Sequence, residues 1–480
     1  MLRDAGTRVL PWVLGAAIVG IGAFASIRSP IGAGVLVAVV AIALAVFASR
    51  FPSFAVASAI TVGVTSGFSR RVLTYFFPES QLVDLVVLIP AVVILATMLF
   101  HLSRSTIDSP PTPVFFRILI VGIVLAGFNP SGAGLGANLL TSAQLGIWVA
   151  VFLLSYRGLV KFVSVARAVL LVGVLNALYM FWQNSFGLTP WDDLWVRTDG
   201  YAALYVGPDL VRPLGLASSA AESAALCAVV VAVGLGHLRD SRAPFRALYV
   251  VPVMIGFSGA LIAGTRTFLL LTIAAACVWI AARSRHPVRN ILLSVAAVVP
   301  LAAFIASRFL GSASNGVART LNTLSGQEDL ATSTIPLHID LLVNGVLHGL
   351  TTVIGTGSGQ LGVLTGTSGN AEVDIANAAT MAGVVGLAAI VFAYVYLARN
   401  FSRVVSMGGL GLTALLVLVT TFGQWLSVGF YGLTCFVWFV FGALAREIQK
   451  AKTDGALDSS GQRRPRRDSR GLEPVRQRLG

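Results

Sequence analysis

The sequence predicts an all-α fold, a polytopic bundle of about fourteen (12–14) membrane-spanning helices on the bilayer length criterion, with one large extracytoplasmic loop before the third-last span. Three observations carry this expectation. Of the 480 residues, 56% are hydrophobic and only 11% are charged, whereas a soluble domain carries about 25% charged residues. Mean hydropathy is +0.84, so the chain cannot cover itself with polar surface and needs lipid as solvent. The apolar runs are often ~16–22 residues long, the length of helices crossing a core of about 30 Å; barrel strands would instead give short alternating segments.

Taken in chain order, the candidate spans are 9–27, 31–48, 53–68, 83–101, 113–128, 136–155, 160–182, 213–236, 248–263, 267–283, 291–309, 376–397, 407–425 and 428–446. The stretches 53–68 and 136–155 are the weakest, diluted by Ser, Thr and Gly. The first span is too long, and too poorly followed by a cleavage site, for a removed signal peptide. Basic connections follow at Arg239–Arg246, Arg283–Arg289 and Arg399–Arg403, with a further one at Tyr156–Lys161. Lys and Arg collect on the cytoplasmic side. All these segments fall on that side if the spans alternate and both termini are cytoplasmic. Arg70 and Arg71 are the exception, because they fall outside.

Two outer segments are longer than a turn. The first, Ser185 to Arg212, contains Trp191, Asp192, Asp193, Trp195, Arg197 and Tyr201, and its aromatics suit the headgroup level. The second, about 310–374, is rich in Gly, Ser and Thr and carries Arg319, Glu328, Asp329, His338, Asp340 and Glu372. Within it, apolar residues at helical spacing over Ile335–Leu350 predict an amphipathic helix on the membrane surface. The domain division is a transmembrane unit, 1–446, and a basic cytoplasmic tail, 447–480. That tail contains RRPRRDSR with Gly, Pro and Gln, cannot build a core and is expected to be disordered.

The net charge of +14, from 34 Lys+Arg against 20 Asp+Glu, is accounted for by topology rather than by nucleic acid. Cys227, Cys277 and Cys435 all lie in apolar runs. An odd set of this kind argues against a disulfide framework or a zinc site. His338 and His348 lack the spacing of a metal pair, and no HExxH motif is present. The run Gly355–Gly359 (GTGSG) lacks the lysine of a phosphate-binding loop and reads as a tight turn.

Outer arginines at span boundaries are the informative residues, because topology depletes positive charge there. Arg212 opens a span, Arg266 sits in a very short outer connection, and Arg319 lies in the large loop. A single such arginine is as well explained by anchoring to headgroup phosphate. Two that border spans leading into one large loop are harder to dismiss, and the guanidinium fork matches phosphate oxygens. Glu222 lies inside a span, where an ionisable group is either functional or paired with a neighbouring helix. His338 is either a base that activates a hydroxyl or a partly exposed helix histidine.

Over about residues 205–400 the pattern resembles the O-antigen ligase and polymerase superfamily of membrane glycosyltransferases. The resemblance rests on Arg212-Pro213-x-Gly215, on Thr265-Arg266-Thr267 before the large loop, on the run Ile354–Gly359, and on a polar stretch entering a span through Gly383-Val-Val-Gly386. The chain departs from the family at that last span. Glu372 and Asp374 stand where a His-Asn or Glu-Asn-Ser pair is usual, Asn377 follows one turn on, and Met381 replaces a later Glu. His338, after Thr332-Ser-Thr334, is similar to a histidine found there in some members.

The resemblance implies a metal-independent enzyme without a cofactor. It would transfer a polyprenyl-diphosphate-linked glycan to a glycan or lipid acceptor hydroxyl at the outer face of a bacterial inner membrane. Arg212 and Arg266 would bind the diphosphate, and His338 or Glu372 would serve as the base. Arg319, Asp374 and Glu222 are secondary candidates. The competing expectation is a transporter or flippase for lipid-linked glycans.

Overall fold

The computed structural model describes residues 30–48, 50–78, 81–102, 111–199, 205–207, 210–240, 247–282, 335–361, 373–406, 409–426 and 431–459. Its helices are α1 (Pro30–Ala48), α2 (Pro52–Val64), α3 (Ser66–Phe76), α4 (Ile89–Leu102, entered through a 3-10 turn Gln81–Leu88), α5 (Val114–Gly127), α6 (Leu135–Tyr156), α7 (Phe162–Phe186) and α8 (Pro190–Asp199). Two short strands, β1 (Tyr205–Gly207) and β2 (Leu210–Val211), pair antiparallel. Then come α9 (Ala220–Asp240), α10 (Ala247–Ile262), α11 (Arg266–Ala281), α12 (Ile335–Thr351), a 3-10 turn Ser358–Leu361, α13 (Asp374–Ser406), α14 (Gly409–Thr420) and α15 (Tyr431–Ser459).

The described residues are therefore all-helical or in connecting turns apart from that strand pair. Among the described residues, five helices are long and apolar enough to cross a membrane: Val83–His101, Leu135–Tyr156, Phe162–Phe186, Ala220–Leu238 and Asp374–Phe401. Six further apolar helices are shorter. These features mark a multi-pass membrane protein, in which helices satisfy the backbone internally and lipid covers the apolar outer faces. Leu99, Leu171, Leu248 and Leu270 are accordingly exposed. The expected spans 9–27 and 291–309 lie outside the described residues, and a helix occupies each of the others.

The core runs through α15, which is buried along its apolar half from Leu433 to Ile448. It packs on α6, α2 and α14. Phe115, Phe116, Phe152, Trp438 and Phe441 form one aromatic layer, with Phe116 stacked on Phe152 at 3.8 Å. Close approach depends on glycine. A Cβ on Gly63 would lie 2.8 Å from the Cα of Gly432.

Three expectations are corrected. First, α15 does not stop at residue 446 but continues to Ser459. Residues 447–453 (EIQKAKT) are mostly good helix formers, and Lys450 pairs with Glu447 at 2.7 Å. The tail beyond 459 lies outside the described residues.

Second, α12 is not an isolated amphipathic helix but packs along a neighbouring one. Gly345 seats on Ala376 and Gly349 on Ala379, so α12 runs lengthwise and parallel to the start of α13. A Cβ on Gly349 would sit 2.3 Å from that of Ala379, so the glycine face of α12 finds a helix partner rather than headgroups. Its other face, with Val343, Leu347 and Leu350, is exposed.

Third, the stretch 376–397 is no straight span. The backbone breaks at Ala382 (φ −133°, ψ 20°) and Gly383 (φ 57°, ψ −137°), and a Cβ on Gly386 would lie 2.0 Å from the Ala378 carbonyl oxygen. Residues eight apart in a helix are about 12 Å apart along its axis. The chain therefore doubles back, and Asp374–Met381 packs against the long segment that follows.

Candidate functional site

The span expected over 213–236 becomes helical only at Ala220. Residues 212–219 are irregular, although they border an apolar bundle where every backbone group needs a partner. Those partners are mostly side chains, several of them drawn from distant elements. Arg71 on α3 donates from Nη1 to the Ala217 carbonyl at 2.8 Å and from Nη2 to the Gly215 carbonyl. Gln183 on α7 accepts from Gly215 N at 2.8 Å, and Asn176, also on α7, accepts from Leu216 N at 2.7 Å. Ser223 Oγ donates to the Leu214 carbonyl, and Phe68 N donates to Leu216 O at 3.1 Å. Gly215 takes φ 60°, a conformation open to glycine, and a Cβ there would strike Asn176 Oδ1 at 2.3 Å.

Arg71 is itself anchored by Asp192 on α8. Its Nε lies 2.8 Å from Asp192 Oδ1, with both side chains fully buried. The second carboxylate oxygen, Oδ2, accepts from Tyr179 Oη at 2.7 Å, Gln183 Nε2 at 2.8 Å and Thr189 Oγ1 at 2.6 Å. Trp191 Nε1 in turn donates to Tyr179 Oη at 3.0 Å. Burial lowers the pKa of the Arg71 guanidinium and the facing Asp192 carboxylate raises it. Asp192 thus meets the guanidinium through Oδ1 while its Oδ2 accepts three hydrogen bonds. Next to it, Arg70 pairs with Asp84 at 2.6 Å and lies 4.9 Å from the ring centre of Trp195.

Glu222 has a local duty. Ser219 Oγ accepts from Glu222 N at 3.1 Å, while Glu222 Oε2 accepts from Ser218 N at 3.1 Å and Ser218 Oγ at 2.6 Å. This is a capping box, shifted by one residue, that closes the start of α9. A Ser-x-x-Glu spacing ahead of an apolar run was the available signal for it.

Arg212 is half-buried and leads directly into this locked segment. Arg266 is the first residue of α11. In the antiparallel α9–α10 pair, Gly234 faces Val253 and Gly259 faces Cys227. Carried onward, that register sets the start of α11 level with the start of α9. The two arginines therefore share one end of the bundle.

The Gly355–Gly359 turn lies at the same end. Thr356 N donates to Thr380 O at 2.8 Å, Gly357 N to Met381 O at 3.2 Å and Gly359 N to Asn138 Oδ1 at 2.6 Å. Asn129 Nδ2 donates to Gly355 O at 2.9 Å, Asn138 Nδ2 to Asn129 O at 2.6 Å, and Ser142 and Ser358 share a hydrogen bond of 2.8 Å. Its amides serve the fold rather than a phosphate, in keeping with a tight turn. Asn138 stands near the start of α6 and Gln183 near the end of α7. These helices are joined by the short turn 157–161, so both residues belong to one end.

The base candidates are placed differently. Thr352, just past the end of α12, meets the break at Gly383. His338, in the first turn of α12, is then roughly 20 Å away along the axis at 1.5 Å per residue. The structure does not bring His338 to the arginine end. Asp374 is fully buried at the start of α13, where its Oδ1 accepts from Leu426 N at 2.7 Å and its own N donates to Gly423 O at 2.9 Å. Its Oδ2 has no hydrogen-bond partner among the described residues. Glu372 and Arg319 lie outside the described residues. Among the described residues, no three His, Cys, Asp or Glu side chains are grouped to hold a metal ion, and the three cysteines are free and buried.

Arg71 and Asp192 were the residues sequence reasoning missed as a pair. The signal was present in part, since Arg71 was one of two arginines that broke the topology rule. No family model matches the chain, and no curated protein matches it either.

Proposed function

We propose that this protein is a membrane glycan ligase or polymerase, transferring a polyprenyl-diphosphate-linked glycan to an acceptor hydroxyl at the outer face of a bacterial inner membrane. In this reading about fourteen spans cross the bilayer and both termini are cytoplasmic. The feature that supports it is that Arg212 and Arg266 stand at one end of the bundle by helix register, Arg212 leading into a backbone segment locked by buried side chains. The transferred sugar leaves a lipid diphosphate that gains negative charge, and preorganised guanidinium groups stabilise that charge better than mobile ones. Arg212 and Arg266 are assigned to the diphosphate, and grooves between apolar helices to the polyprenyl chain. His338 or Glu372 is assigned as the base for the acceptor hydroxyl, and the transfer assay decides between them.

The test is a transfer assay with purified protein, a lipid-diphosphate glycan and an acceptor. Arg212→Lys and Arg266→Lys keep the charge but lose the fork. Each is expected to lower turnover by about 100–1,000-fold; an inactive Glu372→Gln beside an active His338→Ala assigns the base to the carboxylate, and the reverse assigns it to the histidine. Near-wild-type turnover in both lysine variants removes the catalytic reading of the arginines.

One observation favours a second reading, a carrier of lipid-linked glycans. The break at Ala382–Gly383 makes α13 a discontinuous helix, a feature on which transporters build substrate sites. Product formed in detergent, where no gradient or second compartment exists, favours the enzyme. Glycan movement across sealed vesicles without product favours the carrier.

A further inference from the structure

We propose that the buried Arg71–Asp192 pair is a positioning device for Arg212, so that Arg71 governs diphosphate binding without touching the ligand. The inference rests on the assignment of Arg212 to the diphosphate and deepens it. Three facts lead to it. The Arg71 guanidinium is fully enclosed and directs Nε, Nη1 and Nη2 at three protein oxygens, those of Asp192, Ala217 and Gly215. Two of these oxygens are backbone carbonyls within five residues of Arg212. Asp192 has its other oxygen saturated by Tyr179, Gln183 and Thr189, so the guanidinium is fixed in orientation as well as in place.

A purely structural anchor would need none of this charge. Apolar packing of similar volume generally stabilises as well as a buried ion pair does, and without the desolvation penalty. What the pair supplies is a unique backbone path. Leu214 is pressed beneath α8 beside Val196, Gly215 turns through its positive φ, and Gly67 admits Ser218 so closely that a Cβ would lie 2.3 Å from the Ser218 Cα. Arg212 enters this path at its first residue. A shift at Gly215 is transmitted to Arg212 through one proline and one enclosed leucine, both stiff. Lysine at position 71 would keep the charge opposite Asp192, but a single ammonium cannot span the three acceptors in the directions a planar fork serves.

The experiment uses the full chain in lipid nanodiscs, with wild type, Arg71→Lys, Arg212→Ala and the double variant. Two readouts are taken: hydrogen exchange of the 213–219 backbone without ligand, and the Kd for polyprenyl diphosphate as the probe. Arg71→Lys is expected to retain a cooperative thermal transition, to raise exchange at 216–218, and to weaken probe binding by at least about tenfold, since a misplacement of about 1 Å at a functional group is felt on the order of 100-fold. In the Arg212→Ala background the same change should add little, because two residues acting through one contact are not additive. Unchanged exchange in Arg71→Lys overturns the positioning role whatever the ligand. So does full additivity in the double variant. If exchange rises but Arg212→Ala binds the probe as wild type does, the diphosphate assignment itself fails and the inference falls with it. Should Arg71→Lys not fold, Gln183→Met, which removes the acceptor for Gly215 N and one donor to Asp192 but keeps both charges of the ion pair, must show the same two effects in weaker form.

Discussion

Two stretches of non-helical backbone enter the same end of this bundle, and they are held by opposite means. Residues 212–219 are held by charge and by long side chains reaching from α3, α7 and α8. Residues 355–359 are held by neutral amides and hydroxyls at short range, with glycines letting backbones meet. The first arrangement specifies one conformation through directional groups that are costly to leave unpaired. The second specifies it through shape. In the proposed role of Arg212, the segment that presents it gains from the first, because orientation is fixed along with position. A turn that only seals the break in α13 is served by the second.

The contrast can be broken from either side. The largest effect is expected from Arg71→Met, which fits the space but abandons Asp192 in the interior. Breaking one partner of a buried pair costs about 3–5 kcal/mol, so the thermal transition in detergent should fall sharply, and Arg71→Met/Asp192→Leu should recover only the share that comes from the stranded carboxylate, since both variants leave the Ala217 and Gly215 carbonyls without their donor. Gly383→Ala comes next. It places a Cβ 2.1 Å from the Thr352 carbonyl oxygen at φ 57°, and strain of this kind reaches about 3 kcal/mol; the same assay should show a clear loss, with no dependence on salt.

Asn138→Ala follows. It removes the amide that serves Asn129 O, Ser131 O and Gly359 N, for about 2 kcal/mol of unmet hydrogen bonding, and should raise amide exchange at Gly359 before any change at 213–219. Arg70→Ala should be smallest. Its partner Asp84 is 50% exposed, and pairs of that kind contribute about 0–1 kcal/mol, less at high salt. A loss as large as that of Arg71→Met would erase the distinction between the two neighbouring arginines.

Helix positions were legible because apolar runs of bilayer length leave few alternatives. The stretches 113–128 and 136–155 became Val114–Gly127 and Leu135–Tyr156 almost residue for residue. The failures share a physical cause. An apolar run tells that a segment is buried, but not whether it is straight. Residues 213–219 are as apolar as a helix start, and only Gly215 and the distant Arg71 divert them. Gly383 was visible, yet nothing local distinguishes a glycine that turns the chain back from one that eases packing.

The same limit hid the helix packing of α12. Its apolar spacing is that of a surface helix, and the partner that claims its glycine face lies in a later segment. Arg212 and Arg266 were singled out from the sequence because topology makes outer positive charge anomalous. The network behind it was not, since Arg71, Asp192 and Gln183 are joined only by the fold.

Arg71 has a further consequence, one that concerns time. The Ala217 carbonyl it holds lies 146 residues later in the chain. At about 5–20 residues per second, the ribosome needs roughly 7–30 s to deliver it. Through that interval the emerging protein carries an arginine without the groups that will enclose it, and such a charge stays in water or among headgroups. The segment bearing it can therefore settle only after a much later part of the chain is synthesised. Assembly at this corner runs against the order of translation, and the early helices are completed by the late ones.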